Sequence, residues 1–189
     1  LIGVDYKLDY NGRNSGNFSA LNNNEQLIVL GNNNAEFNNF DPHDLWHDRL
    51  SLVVSRRKVN KPVDEGCAYL YGGSWGMSWD TIFEQFKAKI ASNKKADWKY
   101  YKEHKTNFGE SQAEHLIVDY VINALLIKKI EKERGFSGVW KLLNCGVFKK
   151  GNENYYTVLK SLTGITKDTY NQQVWKLIHD QSLKRQLNQ

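Results

Sequence analysis

The sequence predicts an α+β fold in which short N-terminal strands precede a mostly helical part. In residues 2–10 the apolar residues fall on every second position, which is the period of a half-buried strand. From residue 42 onward they recur at helical spacing, and Gly or Pro separates the segments. Because strands come first and helices follow, segregated elements fit this order best. A chain of 189 residues predicts a single domain, with a strand and Asn-rich part at 1–40 and a helical part at 41–189.

The part before residue 41 combines strand signals with turn residues. Asn11-Gly12 predicts a turn directly after the first strand. Residues 11–39 contain eleven Asn and few side chains that could fill a core, with residues 26–30 as the exception. That apolar run, Gln-Leu-Ile-Val-Leu, predicts a second, buried strand.

Two helices are predicted between residues 41 and 73. Asp41 can cap a helix and Pro42 fits the first helical position, so the first helix is expected to begin there and to end at residues 55–57. A polar link that contains Pro62 follows. Residues 65–71 predict a second, short helix, which Gly72-Gly73 ends.

The rest of the chain predicts further helices. Ser78 can cap a third helix, and residues 93–105 form a charged, aromatic connector. The longest helix is expected from about residue 110 to Gly135. Three more helical segments are expected at 136–145, 152–162 and 166–187, with Gly164 ending the second.

Charge and composition narrow the function classes. The formal charge is +5, but Lys and Arg are interleaved with acids, so we expect no nucleic-acid partner. Two cysteines, Cys67 and Cys145, exclude a disulfide framework and leave one disulfide or two free thiols open. The longest apolar run, residues 116–127, contains Asp119 and Asn123, so no membrane span is expected. Because the chain starts at Leu1, we expect a processed product.

The residues that carry chemistry lie between 43 and 65. His43 and His47 stand four apart, so on a helix both imidazoles project from one face at the separation that a single metal ion requires. Glu65, on the next predicted helix, would be the third ligand. Two imidazoles and one carboxylate form the open catalytic Zn²⁺ site, whose fourth position holds a water. Asp44 lies where a general base would reach that water.

A simpler interpretation of the same residues stands beside this one. Two His four apart arise by chance in many proteins and are then surface or satisfied core residues. Glu65 favours a metal, because Gly66 and Ala68 beside it permit close helix packing. A ligating His normally donates its other N–H to a carboxylate or carbonyl, and Asp48 and Asp64 are candidates for that role.

Segments 43–47 (HDLWH) and 64–68 (DEGCA) resemble the gluzincin clan of zinc metallopeptidases, which includes the peptidase-MA-like domains. That clan has His-Glu-x-x-His on one helix and an Asn-Glu-Gly-x-Ala type segment on a later one. The likeness extends over about residues 27–178, where the later helices look like the clan's C-terminal half. It implies a zincin-like fold, peptide-bond hydrolysis with Zn²⁺, a peptide or protein substrate, and a secreted or cell-envelope location.

The chain departs from the clan at the catalytic position. Asp44 stands where the clan has Glu, and its carboxylate is set back by about 1 Å, which can cost ~10²-fold in rate. His104 and Tyr101 are candidates for stabilising the oxyanion. The alternative function is a zincin-like scaffold that has lost catalysis and binds protein or glycan, with Trp75 and Trp79 as candidate contacts. Packing in the core is the simpler and favoured interpretation of both Trp side chains.

Overall fold

The structure is a computed structural model that describes residues 17–22, 27–32, 42–74, 77–91, 96–103 and 118–186. Two strands, β1 (Asn17–Asn22) and β2 (Leu27–Asn32), pair antiparallel with Asn17 opposite Asn32. Seven helices follow in the described ranges: α1 (Pro42–Ser51), α2 (Lys61–Gly72), α3 (Trp79–Ile90), α4 (Trp98–Glu103), α5 (Val118–Leu143), α6 (Glu153–Thr163) and α7 (Tyr170–Gln186).

The α+β prediction is wrong, because the described part of the chain is mostly helical. Its strands form only one two-stranded hairpin, which contacts α1. A hairpin of this size is too small to form a layer of the fold by itself. The buried apolar side chains that are described all come from Leu50 to Ile178, in the helical part. The strand predicted at 2–10 lies outside the described residues, and the one predicted at 26–30 overlaps β2.

The first two helices differ in length from the prediction. The first begins at Pro42 as expected but ends at Ser51, and Val53, predicted to lie within the helix, is 71% exposed. The second begins at Lys61, four residues before the predicted start. Pro62 lies in its first turn, where the missing N–H costs no helical hydrogen bond, so the proline belongs to the helix and not to the link.

The later helices follow the prediction with one exception, the connector before α5. Ser78 caps α3 as predicted, since its hydroxyl accepts a hydrogen bond from the N–H of Thr81. The expected connector at 93–105 contains α4, whose Trp98 is fully buried. Gly135 ends the first helical segment of α5 as predicted, since its torsions are non-helical (φ 66°, ψ −176°). Because Gly tolerates positive φ, the chain turns there and continues as a helix to Leu143.

Close packing of α2 against α5 fixes the position of α2, the helix that carries Glu65. A Cβ added at Gly66 would lie 2.6 Å from the Cβ of Asn123, so only glycine permits this approach. α2 also contacts α1 and α3, and it lies between α1 and the core helix α5. Cys67 and Cys145 are both free thiols, which decides between the two predicted alternatives. No helix of the described residues is long and apolar enough to cross a membrane.

Candidate metal centre

Three side-chain atoms from α1 and α2 converge on one point. The Nε2 atoms of His43 and His47 lie 3.3 Å apart. The Oε2 atom of Glu65 lies 3.5 Å from His43 Nε2 and 3.4 Å from His47 Nε2. Two nitrogens and one carboxylate oxygen thus form a nearly equilateral triangle.

The size of this triangle fits a single metal ion. Ligand atoms about 2.0–2.1 Å from a tetrahedral zinc lie about 3.3–3.4 Å from one another. The three measured separations agree with that edge length to within about 0.2 Å. The group formed by His43, His47 and Glu65 could therefore hold a metal ion. No fourth ligand joins it among the residues that the structure describes.

Of the two glycines at the end of α2, Gly72 lets α1 come close enough to build this group and Gly73 permits the turn that follows. A Cβ added at Gly72 would lie 2.5 Å from the carbonyl oxygen of Pro42, at the start of α1. Gly73 has a φ of 76°, a conformation that L side chains rarely adopt, and a Cβ there would lie 2.0 Å from the Met77 carbonyl oxygen. The sequence Gly72-Gly73 is thus required by the close approach as well as by the helix end.

Hydrogen bonds on the outer ring nitrogens orient both imidazoles. His43 Nδ1 donates to the Gly73 carbonyl oxygen at 2.7 Å, and His47 Nδ1 donates to Asp64 Oδ1 at 3.0 Å. A carbonyl and a carboxylate oxygen can only accept, so the proton of each neutral ring lies on Nδ1. Both Nε2 lone pairs then point at the centre of the group, as ligation requires.

Asp64 and Arg56 connect two of the three ligands, His47 and Glu65, into a network. Asp64 Oδ1 also accepts from Trp46 Nε1 at 2.9 Å, and its Oδ2 accepts from Arg56 Nε at 2.9 Å. Arg56 Nη2 donates to Oε1 of Glu65 at 3.3 Å, leaving Oε2 for the centre. The network holds the carboxylate of Glu65 and the ring of His47 in fixed orientations.

The electrostatics of the metal-free group favour a bound proton. Burial disfavours the charged imidazolium of His47, but the hydrogen bonds and charges of Asp64 and Glu65 outweigh it and raise the pKa of His47 to about 9. Burial alone would raise the pKa of Glu65. The hydrogen bonds and charges of the adjacent imidazoles outweigh burial and hold this pKa well below its usual value. A cation is therefore favoured at this position, and a metal ion would have to displace the proton of His47.

Of the other predicted site residues, the structure describes the side chains of Asp64, Tyr101 and Trp79. Asp64 takes the outer position predicted for it, beside His47. Asp44 and Asp48 lie on α1, but their side chains are outside the described part, as are His104 and Trp75. Tyr101 lies on α4, where its ring packs 6.0 Å from that of Trp98.

Trp79 is corrected from a candidate contact for a ligand to a core residue. Its side chain is buried and its ring lies 5.8 Å from that of Phe83. The helical period of α3 predicts this burial, because Trp79, Phe83 and Phe86 lie on one face.

Sequence reasoning missed several groups around the centre. Arg56 was assigned to a helix C-terminus, although it lies in the loop after α1 and contacts Asp64. Tyr69 packs between His43 and Tyr120, with ring centroids 5.7 Å from each. Burial and the charge of Glu65 raise the pKa of Tyr120, so this phenol stays protonated near the site. The spacing of Glu65 and Tyr69, four apart on α2, was the available signal for Tyr69.

Comparison with known proteins adds no family to this geometry. No family model, curated protein or solved structure matches the chain. The function must therefore be argued from the residues of the centre, and the resemblance to gluzincins stays a prediction based on two short segments.

Proposed function

We propose that this protein is a zinc-dependent hydrolase that cleaves peptide bonds. The observation that supports it best is the triangle of His43 Nε2, His47 Nε2 and Glu65 Oε2, with edges of 3.3–3.5 Å. Two imidazoles and one carboxylate with an open fourth position are the ligand set of hydrolytic zinc sites. Structural zinc sites, in contrast, are closed by four protein ligands, commonly cysteines. Cys67, one turn before Tyr71 on α2, is fully buried and is not part of the group.

Each residue has a defined task in this proposal. When bound, zinc would supply Lewis-acid activation of a water and of the substrate carbonyl. The rings of His43 and His47 present neutral nitrogens, because Gly73 and Asp64 accept their Nδ1 protons. Asp44, next to His43 on the first turn of α1, is assigned as the acceptor of the water's proton.

A peptide substrate is supported by the position of the hairpin. Both β1 and β2 contact α1, the helix that carries two of the three ligands. Within the described ranges the two strands pair only with each other, so each has one edge that no described strand occupies. An extended peptide can add to such an edge through main-chain hydrogen bonds, which would place its carbonyls beside α1.

Zinc content tests the site. We expect the zinc-loaded chain to retain about one zinc per molecule after desalting, measured by mass spectrometry of the metal, since three ligands converge. His43→Ala and Glu65→Ala should each lose most of it. His179→Ala is the matched control, because His179 lies on α7 with its side chain 69% exposed. Equal zinc in the His43→Ala variant and the wild type would refute the site.

Peptide cleavage tests the activity separately. We expect the zinc-loaded chain to hydrolyse an unstructured protein such as casein slowly, and Asp44→Glu to increase the rate by about 10²-fold, because the longer side chain reaches further towards the water. Asp44→Asn should abolish cleavage without loss of zinc. A zinc-loaded Asp44→Glu variant that stays inactive would instead favour the alternative, a scaffold that binds protein or glycan without catalysis.

A further inference from the structure

A basic cleft opens beside the metal centre. It has a volume of about 420 Å³ and lies between the loop that precedes α2 and the loop that follows α5. Arg56, Arg57 and Lys61 line it on one side, and Val147 and Phe148 form an apolar wall. Neither the proposed ligands nor the proposed chemistry uses this cleft.

The three cations of the cleft differ in whether a carboxylate forms an ion pair with them. Arg56 is held by Asp64 and Glu65. Arg57 and Lys61 are exposed, and no carboxylate of the described residues forms an ion pair with either. Asp64 supplies the one carboxylate in the lining. The cleft therefore retains two uncompensated positive charges, which favour an anionic occupant.

The walls of the cleft are joined by hydrogen bonds from a single buried residue. Asn60, directly before Lys61, is fully buried. Its N–H donates to the Leu143 carbonyl oxygen at 2.9 Å, and its side-chain amide donates to the Gly146 carbonyl oxygen at 3.2 Å. Because these bonds tie one loop to the other, the cleft is preformed, and binding in it costs little ordering of the protein.

Arg56 connects the cleft to the metal centre. Its guanidinium lines the cleft and also donates to Oε1 of Glu65, whose other oxygen faces the imidazoles. A group bound near Arg57 and Lys61 would thus be only a few residues of extended peptide away from a group bound at the centre, since each residue spans about 3.3 Å.

We propose that this cleft binds a carboxylate of the peptide substrate and so gives the enzyme a preference for acidic peptides or for peptide C-termini. The inference rests on the proposed function and adds a substrate class to it. Two exposed cations and an apolar wall suit one carboxylate with its aliphatic stem. A volume of about 420 Å³ has room for a side chain or a chain end together with part of the adjoining peptide. A nucleic-acid backbone needs a longer basic track, and elsewhere the cations of this chain are interleaved with acids.

Peptide binding to the full, zinc-loaded chain tests this inference. An Asp44→Asn background prevents turnover, and fluorescence anisotropy measures the affinity of three labelled peptides. One has a free C-terminus and Gln side chains, one an amidated C-terminus and internal Glu, and one an amidated C-terminus and Gln. We expect one of the two carboxylate peptides to bind about tenfold more tightly than the neutral one, and which of them does so identifies the source of the carboxylate.

Charge-removal variants place the effect in the cleft. Combined Arg57→Gln and Lys61→Gln substitutions should reduce the affinity about tenfold for whichever carboxylate peptide binds more tightly, and leave the affinity for the neutral peptide unchanged. Lys58→Gln is the matched control, because Lys58 is exposed, adjacent in sequence and not part of the cleft lining. All three side chains are exposed, so folding should be unaffected.

Three outcomes would overturn the inference: equal affinity for the three peptides, an equal loss in the Lys58→Gln control, or tighter binding of single-stranded DNA that depends on Arg57 and Lys61. Failure of the proposed function is distinguishable, because zinc content and cleavage of the neutral peptide by the wild type do not depend on the cleft. A chain that holds zinc and cleaves neutral peptides, yet shows no preference for carboxylates, would refute only the cleft.

Discussion

At the scale of single residues, Asp64 organises the centre without being one of its three ligands. It accepts hydrogen bonds from His47 and Trp46 on α1 and from Arg56 in the following loop. Burial raises the energy of its carboxylate, but the adjacent imidazole and guanidinium outweigh that and lower its pKa. Asp64 is therefore ionised at neutral pH and acts as the common acceptor for one ligand and two neighbours.

Replacing Asp64 by Asn should weaken zinc binding without removing the site. The amide can accept from His47, but its NH₂ group cannot accept from Arg56, so ring and guanidinium lose their shared carboxylate. We expect the dissociation constant for zinc to rise about 10–100-fold while saturation still reaches one zinc per chain. Competition with a chromophoric chelator measures this. Asp180→Asn, at an exposed position on α7, is the control. An unchanged constant in Asp64→Asn would contradict the role given to this carboxylate.

The rate at which the thiol of Cys145 is alkylated should rise with pH over a higher range than for an ordinary cysteine. Burial raises its pKa to about 11, so the neutral thiol persists to higher pH than in an ordinary cysteine. Because only the thiolate reacts, alkylation by iodoacetamide should increase about tenfold per pH unit from pH 8 to pH 10. Free N-acetylcysteine should level off above about pH 8.5. Mass spectrometry of the modified peptide measures the rate, and a plateau below pH 9 would show that the pKa is not raised.

At the scale of elements, the sequence predicted the ligand pair because its spacing is local. His43 and His47 lie one turn apart on any helix that begins at Pro42. The contact of Arg56 with Asp64 depends instead on the path of the loop between α1 and α2, which no periodicity encodes. The exposed Val53 shows the same limit, since an apolar residue at helical spacing predicted a longer α1 than the chain forms.

Replacing Gly66 by Ala tests the packing of α2 on α5, because here the substitution should lower the free energy of unfolding, whereas Gly to Ala in a helix usually raises it. Gly to Ala inside a helix normally stabilises by about 1 kcal/mol. Here the added Cβ would lie 2.6 Å from the Cβ of Asn123, so Gly66→Ala should destabilise by about 1–3 kcal/mol. Urea unfolding measures the change, and zinc affinity should fall as well, because Glu65 is the adjacent residue. Ser137→Ala, at an exposed helical position, is the control. A stabilised Gly66→Ala variant would contradict the close approach.

At the scale of the whole molecule, the metal centre joins α1, which carries the hairpin, to α2 and the core helix α5. Among the described elements, α1 packs mainly on α2 and the hairpin, with one ring contact from Trp46 to Phe136 of α5, whereas α2 packs closely on α5. Helical periodicity predicted the core of this protein because Ile122, Leu126 and Ile130 repeat at helical spacing. It did not predict β1, because that strand contains Asn at both ends and Ser within, residues of low strand propensity. It also did not predict the fold class, because periodicity does not show whether strands form a larger sheet or one hairpin. The number of strands that join a sheet depends on tertiary contacts.

Zinc should therefore stabilise α1 more than α6 and α7. Free zinc at about 1,000 times its dissociation constant contributes about 4 kcal/mol to any opening that breaks the centre. Amides of α1, which carries two ligands, should exchange with deuterium at least about 100-fold more slowly with zinc, while those of α6 and α7 stay nearly unchanged. Hydrogen exchange with mass spectrometry measures this, and Glu65→Ala should abolish the difference. Uniform protection of all helices would show that α1 does not open separately from the core, and no protection in α1 would place the zinc elsewhere.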